Sequence, residues 1–242
     1  MSREMIADFH SHILPGIDDG SRNVKQSLEM LRMEARQGVA RVVATPHFYP
    51  SHDSPERFLA RREAAAQALR GAMAQEAGLP EIELAAEVYY FPGISDSDIL
   101  SQLTIGGKGC ILIEMPPAPW TPQMFRELEW IYTKQDLLPV IAHLDRYISP
   151  LGTHGIPARL AELPVMVQAN AGFFLRRGTA GFARKLLRRG LIHVLGSDCH
   201  DTVERPPNLG PAADAIRTHM GREALSYIRE QEARILAAAP TF

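Results

Sequence analysis

Asp8-Phe9-His10-Ser11-His12 follows the apolar run Met5-Ile6-Ala7 and reads as a β-strand that delivers two imidazoles at its carboxyl end. Side chains alternate faces along a strand, so His10 and His12 project the same way, about 7 Å apart. Two neutral imidazoles converging from one strand end are a start for a divalent-metal site. A His-x-His pair also suits a solvated strand end, so the pair alone decides little. Ligand-type residues recur, however, at later strand ends: Asp18, His47, Glu87, Glu114, His143, Asp198 and His200. That recurrence reads as a metallohydrolase.

The remaining chain alternates short apolar runs with helical patterns. The expected strands are Met5 to Phe9, Arg41 to Thr45, Ile82 to Glu87, Cys110 to Glu114, Leu138 to Ala142, Val165 to Ala169 and His193 to Gly196. Val24, Leu28, Leu31 and Ala35 form one apolar helical stripe. Ser54-Pro55-Glu56 opens a second helix with a capping serine and a proline at the first position, running to about Ala77 before Gly78. Further helices are expected at 122–135, 157–162, 179–189, 211–219 and 221–238. Strands alternating with helices predict an α/β fold with a parallel sheet. Seven strands approach a barrel, one short of the familiar eight. In α/β barrels the chemistry sits at the carboxyl ends of the strands, and five of the nine histidines fall there. The other four (His52, His154, His193 and His219) fall in loops, at a strand start or in a terminal helix. The sixth strand, ending Gln168-Ala169-Asn170, offers no evident ligand.

Composition narrows the function classes. A chain of 242 residues, 45% hydrophobic, buries a large core as a single domain spanning 1–242. A net charge of −2 gives no reason to expect nucleic acid. Cys110 and Cys199 are too few for a disulfide framework or a zinc knuckle. No apolar run nears the ~20 residues that span a bilayer, and Arg3-Glu4 leads straight into the first strand without a signal-peptide pattern. The expectation is a cytoplasmic enzyme without membrane insertion.

The run from Asp8 to Gly20, His10-Ser11-His12-Ile13-Leu14-Pro15-Gly16-Ile17-Asp18-Asp19-Gly20 included, resembles the opening motif of the PHP superfamily of metal-dependent phosphoesterases. More narrowly, it is similar to the bacterial capsule-biosynthesis protein-tyrosine phosphatases. Thr45-Pro46-His47, Glu87, Ile113-Glu114, Ala142-His143, Arg146-Tyr147, Gly196-Ser197-Asp198 with His200, and Arg205-Pro206-Pro207 match in order. The resemblance implies a distorted seven-stranded (β/α)7 TIM-like barrel of the PHP type. It also implies a trinuclear centre: one ion on His10, His12, Glu87 and Asp198, a second sharing Glu87 and adding Glu114 and His143, and a third on Asp18, His47 and His200. A carboxylate bridging two ions holds them roughly 3.5–4 Å apart, an arrangement suited to phosphoryl chemistry. Mixed nitrogen and oxygen ligands suit manganese, iron or zinc; the resemblance favours manganese.

A phosphate monoester is a dianion, so a phosphatase must neutralise it and supply a nucleophile. Metal-bound water loses its proton near neutral pH and attacks phosphorus in line. Arg146 and Arg205 are the expected clamp on the phosphoryl oxygens, with ordinary surface arginines as the competing reading. A phenol of pKa near ~10 leaves more easily than a seryl alkoxide, which makes phosphotyrosine a reasonable substrate.

Cys199 and Arg205 also fit the C-x5-R spacing of thiol-based tyrosine phosphatases. The intervening His200-Asp201-Thr202-Val203-Glu204 contains two acids and no glycine, so it would repel a phosphate rather than cradle it. Gly106-Gly107-Lys108-Gly109 precedes a strand rather than a helix and reads as a loop. Asp8 reads as a core or supporting residue, Asp19 as a turn residue before Gly20, Cys110 as packing and His52 as solvated. Arg57, Arg61, Arg62 and Glu63 form a charged helix face that would be solvated or serve homo-oligomer contact. The chain departs from the family pattern where Leu144-Asp145 stands in place of Pro-Glu, and where Cys199 replaces an alanine. These changes bear on substrate preference more than on hydrolysis.

Three readings follow. The first is a manganese-dependent protein-tyrosine phosphatase in capsule or exopolysaccharide regulation, with a bacterial tyrosine kinase as the phosphotyrosyl partner. The second is a PHP or amidohydrolase-type enzyme for a small metabolite such as histidinol phosphate. An amidohydrolase would usually carry a bridging lysine where this chain has Glu114, and an eighth strand. The third is a non-catalytic, metal-stabilised binding module, against which the retained arginines argue, since a structural site needs a closed shell and no substrate clamp.

Overall fold

The computed structural model describes residues 6–149, 152 and 155–237. Arg3, Glu4, Met5, His154 and residue 238 lie outside them. Along the chain run β1 (Ile6–Ser11), α1 (Val24–Gln37), β2 (Val39–Ala44), β3 (His47–Phe48), α2 (Pro55–Met73), β4 (Glu81–Leu84), β5 (Glu87–Tyr89), β6 (Cys110–Glu114) and α3 (Pro122–Gln135). Then follow β7 (Leu138–Ile141), α4 (Ile156–Leu160), β8 (Met166–Asn170), α5 (Ala171–Leu175), α6 (Ala180–Arg188), β9 (Val194–Gly196), α7 (Leu209–Met220) and α8 (Arg222–Leu236). Three helices, α1, α2 and α3, begin at a capping side chain, and the Ser54 cap is the one expected from the sequence. Asn23 accepts from the Gln26 amide, Ser54 from Arg57 and Thr121 from Met124, each satisfying an otherwise orphaned N–H. Helix α2 stops at Met73, short of the expected Ala77. Beyond it Gln75 and Glu76 turn on i−3 bonds, and Arg32 of α1 grips Glu76 through two 2.8 Å bonds. Helix α5 was not among the expected helices. Among the described residues no helix is long and apolar enough to cross a membrane.

Every strand pairing is parallel, in the orders β1-β2-β4 and β3-β5-β6-β7-β8-β9. The result is an α/β fold with a curled parallel sheet. The second expected strand is followed by a further short strand beyond a break, and the third is interrupted. The second breaks at Thr45-Pro46, where proline has no N–H for the ladder, and resumes as β3. The third breaks at Ala85-Ala86 and resumes as β5. Past the end of β9, Asp198 N–H donates to the His10 carbonyl at 2.7 Å, and His12 N–H donates to the Cys199 carbonyl at 2.9 Å. The last strand is thereby stitched to the first.

Two apolar layers flank the sheet. Ala7, Phe9, Val43, Ala85, Cys110, Leu112, Val140, Met166 and Val194 fill the inside of the curl, while Leu31, Val42, Ile113, Ile141, Val167 and Leu195 pack outward among the helices. Simple alternation would send His10 and His12 to the face opposite Phe9. Instead the β1–β2 register shifts between Asp8 and Ser11, because Asp8 pairs with Val42 but Ser11 with Ala44. The three-for-two count is a β-bulge, and it turns both imidazoles inward above Phe9. Gly196 lies opposite, and a Cβ there would collide with the His10 Cβ and, at 2.7 Å, with the Gln168 Nε2. Only glycine lets the two strands approach this closely.

His193, just before β9, accepts the Val167 amide on Nδ1 at 3.0 Å. Burial, with the charge of Arg234, pushes its imidazole down to about 4 from 6.5. The folded chain therefore holds His193 neutral, and the unfolded chain binds the extra proton between those values. Its contribution is complete above pH 6.5 and is lost as pH falls toward 4, amounting to up to about 3 kcal/mol. Urea unfolding of metal-free protein across that range should show His193→Asn with a flatter pH dependence than wild type.

Candidate metal centre

Most of the expected ligands lie at a strand's carboxyl end or in the loop that follows, and His47 and Glu87 begin β3 and β5, the short strands that resume after a break. His10 and His12 come from the bulged end of β1, Glu114 ends β6, and His143 follows β7. Asp198 and His200 follow β9. Two of these residues have left-handed backbones that cost a non-glycine residue about 1–3 kcal/mol: His143 at φ 30° and Asp198 at φ 54°. Their amides are held, by Gln168 Oε1 at 2.5 Å and by the His10 carbonyl. The fold spends stability here to aim two side chains.

Hydrogen bonds to the outer ring nitrogens fix the tautomers. His10 Nδ1 faces Gln168 Oε1 at 3.2 Å and His12 Nδ1 faces Asp18 Oδ2 at 2.7 Å. With N–H on both Nδ1 atoms, each Nε2 faces the centre, where it can hold a cation or a proton. Against its burial, Asp18, Asp198 and Glu87 raise the His12 imidazole well above its usual range, and the two Nε2 nitrogens lie 3.2 Å apart. Around them stand Glu87 Oε2, at 3.2 and 3.4 Å, and Asp198 Oδ1, at 3.6 and 3.5 Å. His143 Nε2 meets Glu87 Oε1 at 2.8 Å and Glu114 Oε1 at 3.4 Å. His47 Nδ1 meets Glu87 Oε2 at 2.8 Å. Glu87 Oε2, Glu114 Oε2 and His200 Nε2 are buried without a hydrogen bond. Acceptors facing acceptors in a buried space are a donor set for cations. Three groups around this centre offer ligand atoms within 4.8 Å of one another: His10, His12 and Asp198; His47, Glu87 and Glu114; and His12, Asp19, His47 and His200.

Asp18 and Asp19 turn to different partners. Asp18 is committed to the His12 ring, the Gly20 amide and the His47 amide. Although burial opposes it, these partners hold its carboxyl down at about 2. Asp19 Oδ1, expected to serve a turn, lies 3.4 Å from both His47 Nε2 and His200 Nε2. Neighbouring carboxylates share the direction that cations favour. Despite burial, Glu87 and Asp198 sit well below the usual carboxylate range because imidazoles surround them. Glu114 and Glu87 raise His143 to about 9 against its burial, whereas burial and the charge of His12 lower His200 to about 4.

Arg146 and Arg205 converge on Asp198 Oδ2, at 2.5 and 2.8 Å, and Arg146 also reaches Glu114 Oε1 at 3.3 Å. Both guanidiniums stay partly exposed at the mouth. Sequence reasoning missed two polar side chains on β8, the strand credited with no ligand. Gln168 carries the His10 ring and the His143 amide on one oxygen, and Asn170 Nδ2 donates to Asp198 Oδ2 at 3.1 Å. Amides bind metals poorly and carry no charge, so only their contacts expose them. Behind β1, Asp8 Oδ1 accepts from the His10 and Ser197 amides at 3.1 and 2.8 Å. Burial raises both Asp8 and its neighbour Glu34 on α1; because Asp8 accepts two N–H groups, the shared proton resides on Glu34.

Cys199 is fully buried, and burial together with Glu34 and Asp8 pushes its thiol well above the usual range. A thiolate nucleophile is excluded on those terms. Cys199→Ser should retain most activity; a dead variant that still binds metal would overturn the point. Metal titration should separate the two aspartates. Asp18→Asn, by freeing the His12 ring, should weaken affinity about 10–100-fold at unchanged stoichiometry, whereas Asp19→Ala should lower the number of ions bound.

Comparison with known proteins places these features. A family model described as capsular polysaccharide synthesis, CpsB/CapC, matches residues 6–237. The tyrosine-protein phosphatase YwqE of Bacillus subtilis is 29% identical over 235 residues, covering 95% of this chain and 90% of that protein. The tyrosine-protein phosphatase CpsB of Streptococcus pneumoniae is 29% identical over 234 residues, covering 88% and 90%. Among solved structures, a chain from the work on YwqE and CpsB, described as unique metal-dependent tyrosine phosphatases, superposes with a TM-score of 0.77. It is 23% identical and covers 93% of this chain and 95% of its own, so it speaks to the fold. With a family model matched from β1 to the end of α8, this chain belongs to the CpsB/CapC family of capsular polysaccharide synthesis proteins.

Proposed function

We propose that this protein is a metal-dependent protein-tyrosine phosphatase serving capsule or exopolysaccharide regulation in the cytoplasm, with a tyrosine kinase as its phosphotyrosyl substrate. Family membership and the names of the relatives support the activity. The observation that carries it is the pair of Nε2 atoms 3.2 Å apart inside a ring of buried carboxylates, an arrangement that cations relieve. In this reading residues 1–242 form one domain. Counting each interrupted strand once, with the stitch from β9 to β1 as closure, the sheet is a distorted seven-stranded barrel. His10, His12, Glu87 and Asp198 would hold one ion, and Glu87, Glu114 and His143 a second. His47 and His200 with Asp19, rather than Asp18, would hold a third. Manganese is the proposed metal.

Bound divalent ions would supply charge neutralisation and an acidified water for in-line attack. The protein's own groups do the rest. Arg146 and Arg205, parked on Asp198, lie at the mouth and turn to the phosphoryl oxygens as a dianion enters; a guanidinium matches two such oxygens. Gln168 and Asp18 keep the His10 and His12 rings oriented with their lone pairs inward. Beside Arg146 opens an apolar cavity of about 240 Å³ lined by Pro117, Ala118, Pro119, Tyr147 and Ile156, wide enough for a tyrosyl ring. A phenolate of pKa ~10 departs from there without a strong general acid.

The decisive experiment is phosphate release by manganese-loaded protein from a phosphotyrosyl peptide, beside histidinol phosphate and an Asp198→Ala control. Fast, chelator-sensitive turnover of the peptide, lost in the variant, is the expected result; preference for histidinol phosphate would refute the reading. Arg146→Ala and Arg205→Ala should each lower kcat about 10²–10³-fold while leaving metal content unchanged.

A further inference from the structure

Between Leu163 and Ser197 the chain carries Arg176, Arg177, Arg184, Lys185, Arg188 and Arg189 and not one aspartate or glutamate, although the whole protein has a net charge of −2. Helix α6 buries Ala180, Ala183, Leu186 and Leu187 against the core. Lys185, Arg188 and Arg189 are exposed and Arg184 is half-buried. Arg176 and Arg177 are exposed in the turn between α5 and α6, beside Leu175, one of two exposed large apolar side chains among the described residues. None of the six cations forms an ion pair among the described residues. Elsewhere, Arg32, Arg41, Arg61 and Arg217 all meet carboxylates. The helix dipole accounts for Lys185 and Arg188 in the last turn of α6. It disfavours Arg176 and Arg177 ahead of the first turn, so their placement needs another reason.

Arg176 supplies one. It lines a polar cavity of about 420 Å³ together with Arg146, Arg205, Asn170, Asn208 and Asp198. The unpaired cations therefore begin in the same cavity as the phosphate clamp and continue over α6, about 1.5 Å per residue. A peptide bearing its phosphate at Arg146 and Arg205 leaves a cavity that Asp145 and Glu204 also line, and past Arg176 it meets a segment, 176–190, that carries five further cations and no acidic residue. The apolar Leu175 and the 81% exposed Val203 border the exit.

We propose that α6 and the turn before it form a docking surface for an acidic segment flanking the phosphotyrosine of the substrate protein. This rests on the phosphatase reading and extends it from the phosphorylated residue to its neighbours. The partner is identified by charge complementarity and by continuity with the cavity that holds the clamp. A lipid or nucleic-acid surface has no reason to begin inside a catalytic cavity.

The test compares two phosphotyrosyl peptides of one length, one with aspartate and glutamate on both flanks and the other with asparagine and glutamine. Wild type should favour the acidic peptide by about tenfold or more in kcat/KM at low salt, and the preference should collapse near 1 M salt, where screening reaches about 3 Å. Arg184→Gln/Lys185→Gln/Arg188→Gln/Arg189→Gln should abolish the preference while p-nitrophenyl phosphate turnover stays at wild-type level. Arg176→Gln/Arg177→Gln should lower it too, with an unchanged thermal melt for both variants. Equal use of the two peptides by wild type overturns the proposal, as does a preference that survives both variants. If wild type hydrolyses neither peptide, the phosphatase reading fails separately. The surface is then judged by titration with the unphosphorylated acidic peptide: tighter binding than to the neutral peptide, lost in the variants, supports it, and no difference overturns it. Binding to anionic phospholipid vesicles without binding to acidic peptide also overturns it.

Discussion

The backbone stitch between the end of β9 and β1 is the constraint on which the rest of this structure depends. Two amides donate across the seam, Asp198 to His10 and His12 to Cys199, and the Asp8 carboxylate ties the His10 and Ser197 amides together from behind, spanning 189 residues of sequence. Without that seam, His10 and His12 would belong to one end of a sheet and Asp198 and His200 to the other. The bulge in β1, the left-handed Asp198 and the absence of a side chain at Gly196 are local irregularities. Each one narrows the seam or aims a ligand across it. The neutral Glu34 behind Asp8 lets a buried carboxylate remain where two N–H groups need it, at the cost of burying an acid.

The electrostatics of the mouth follow from that geometry. Asp18, Asp19, Glu87, Glu114 and Asp198 surround five imidazole rings, each packed within 3.9–5.5 Å of a neighbour. Arg146 and Arg205 bring permanent positive charge into direct contact with this cluster, both leaning on Asp198. So many carboxylates in a low-dielectric space repel one another unless cations or protonated histidines intervene. The chain solves this in two layers. Gln168, Asn170 and Asp18 orient the inner rings and carboxylates, and the arginines stay half-exposed, close enough to compensate Asp198 and free enough to turn outward. Positive charge then continues along α6, away from this acidic centre.

Much of this was legible in the residue order. The alternation of apolar runs and helical stripes announces the parallel α/β sheet, and Ser54-Pro55 marks where the second helix begins. His and acid residues at successive strand ends announce a cation-binding mouth, since few other pressures put buried imidazoles and carboxylates at those positions. The parity argument brought His10 and His12 to one side correctly but for an incomplete reason, because it would have turned them away from the curl that Phe9 fills. A bulge is a register event between strands, and no single strand's sequence contains it.

By itself, then, the sequence determined most of the segments that form strands and helices, the apolar stripe of α1, and which residue types are available to bind a cation; the short helix α5 and the breaks before β3 and β5 were not among them. Tertiary structure alone decided which atoms meet. Asp18 and Asp19 are adjacent in sequence and chemically identical, yet one turns to the Nδ1 of His12 and the other to the outer nitrogens of His47 and His200. Gln168 and Asn170 are uncharged amides on a strand with no evident ligand, and they matter through what lies opposite them across β9 and β7. The physical reason is range. Propensity and periodicity are properties of neighbouring residues, whereas hydrogen-bond partners are fixed by a curled sheet whose first and last strands meet only after the whole chain has folded.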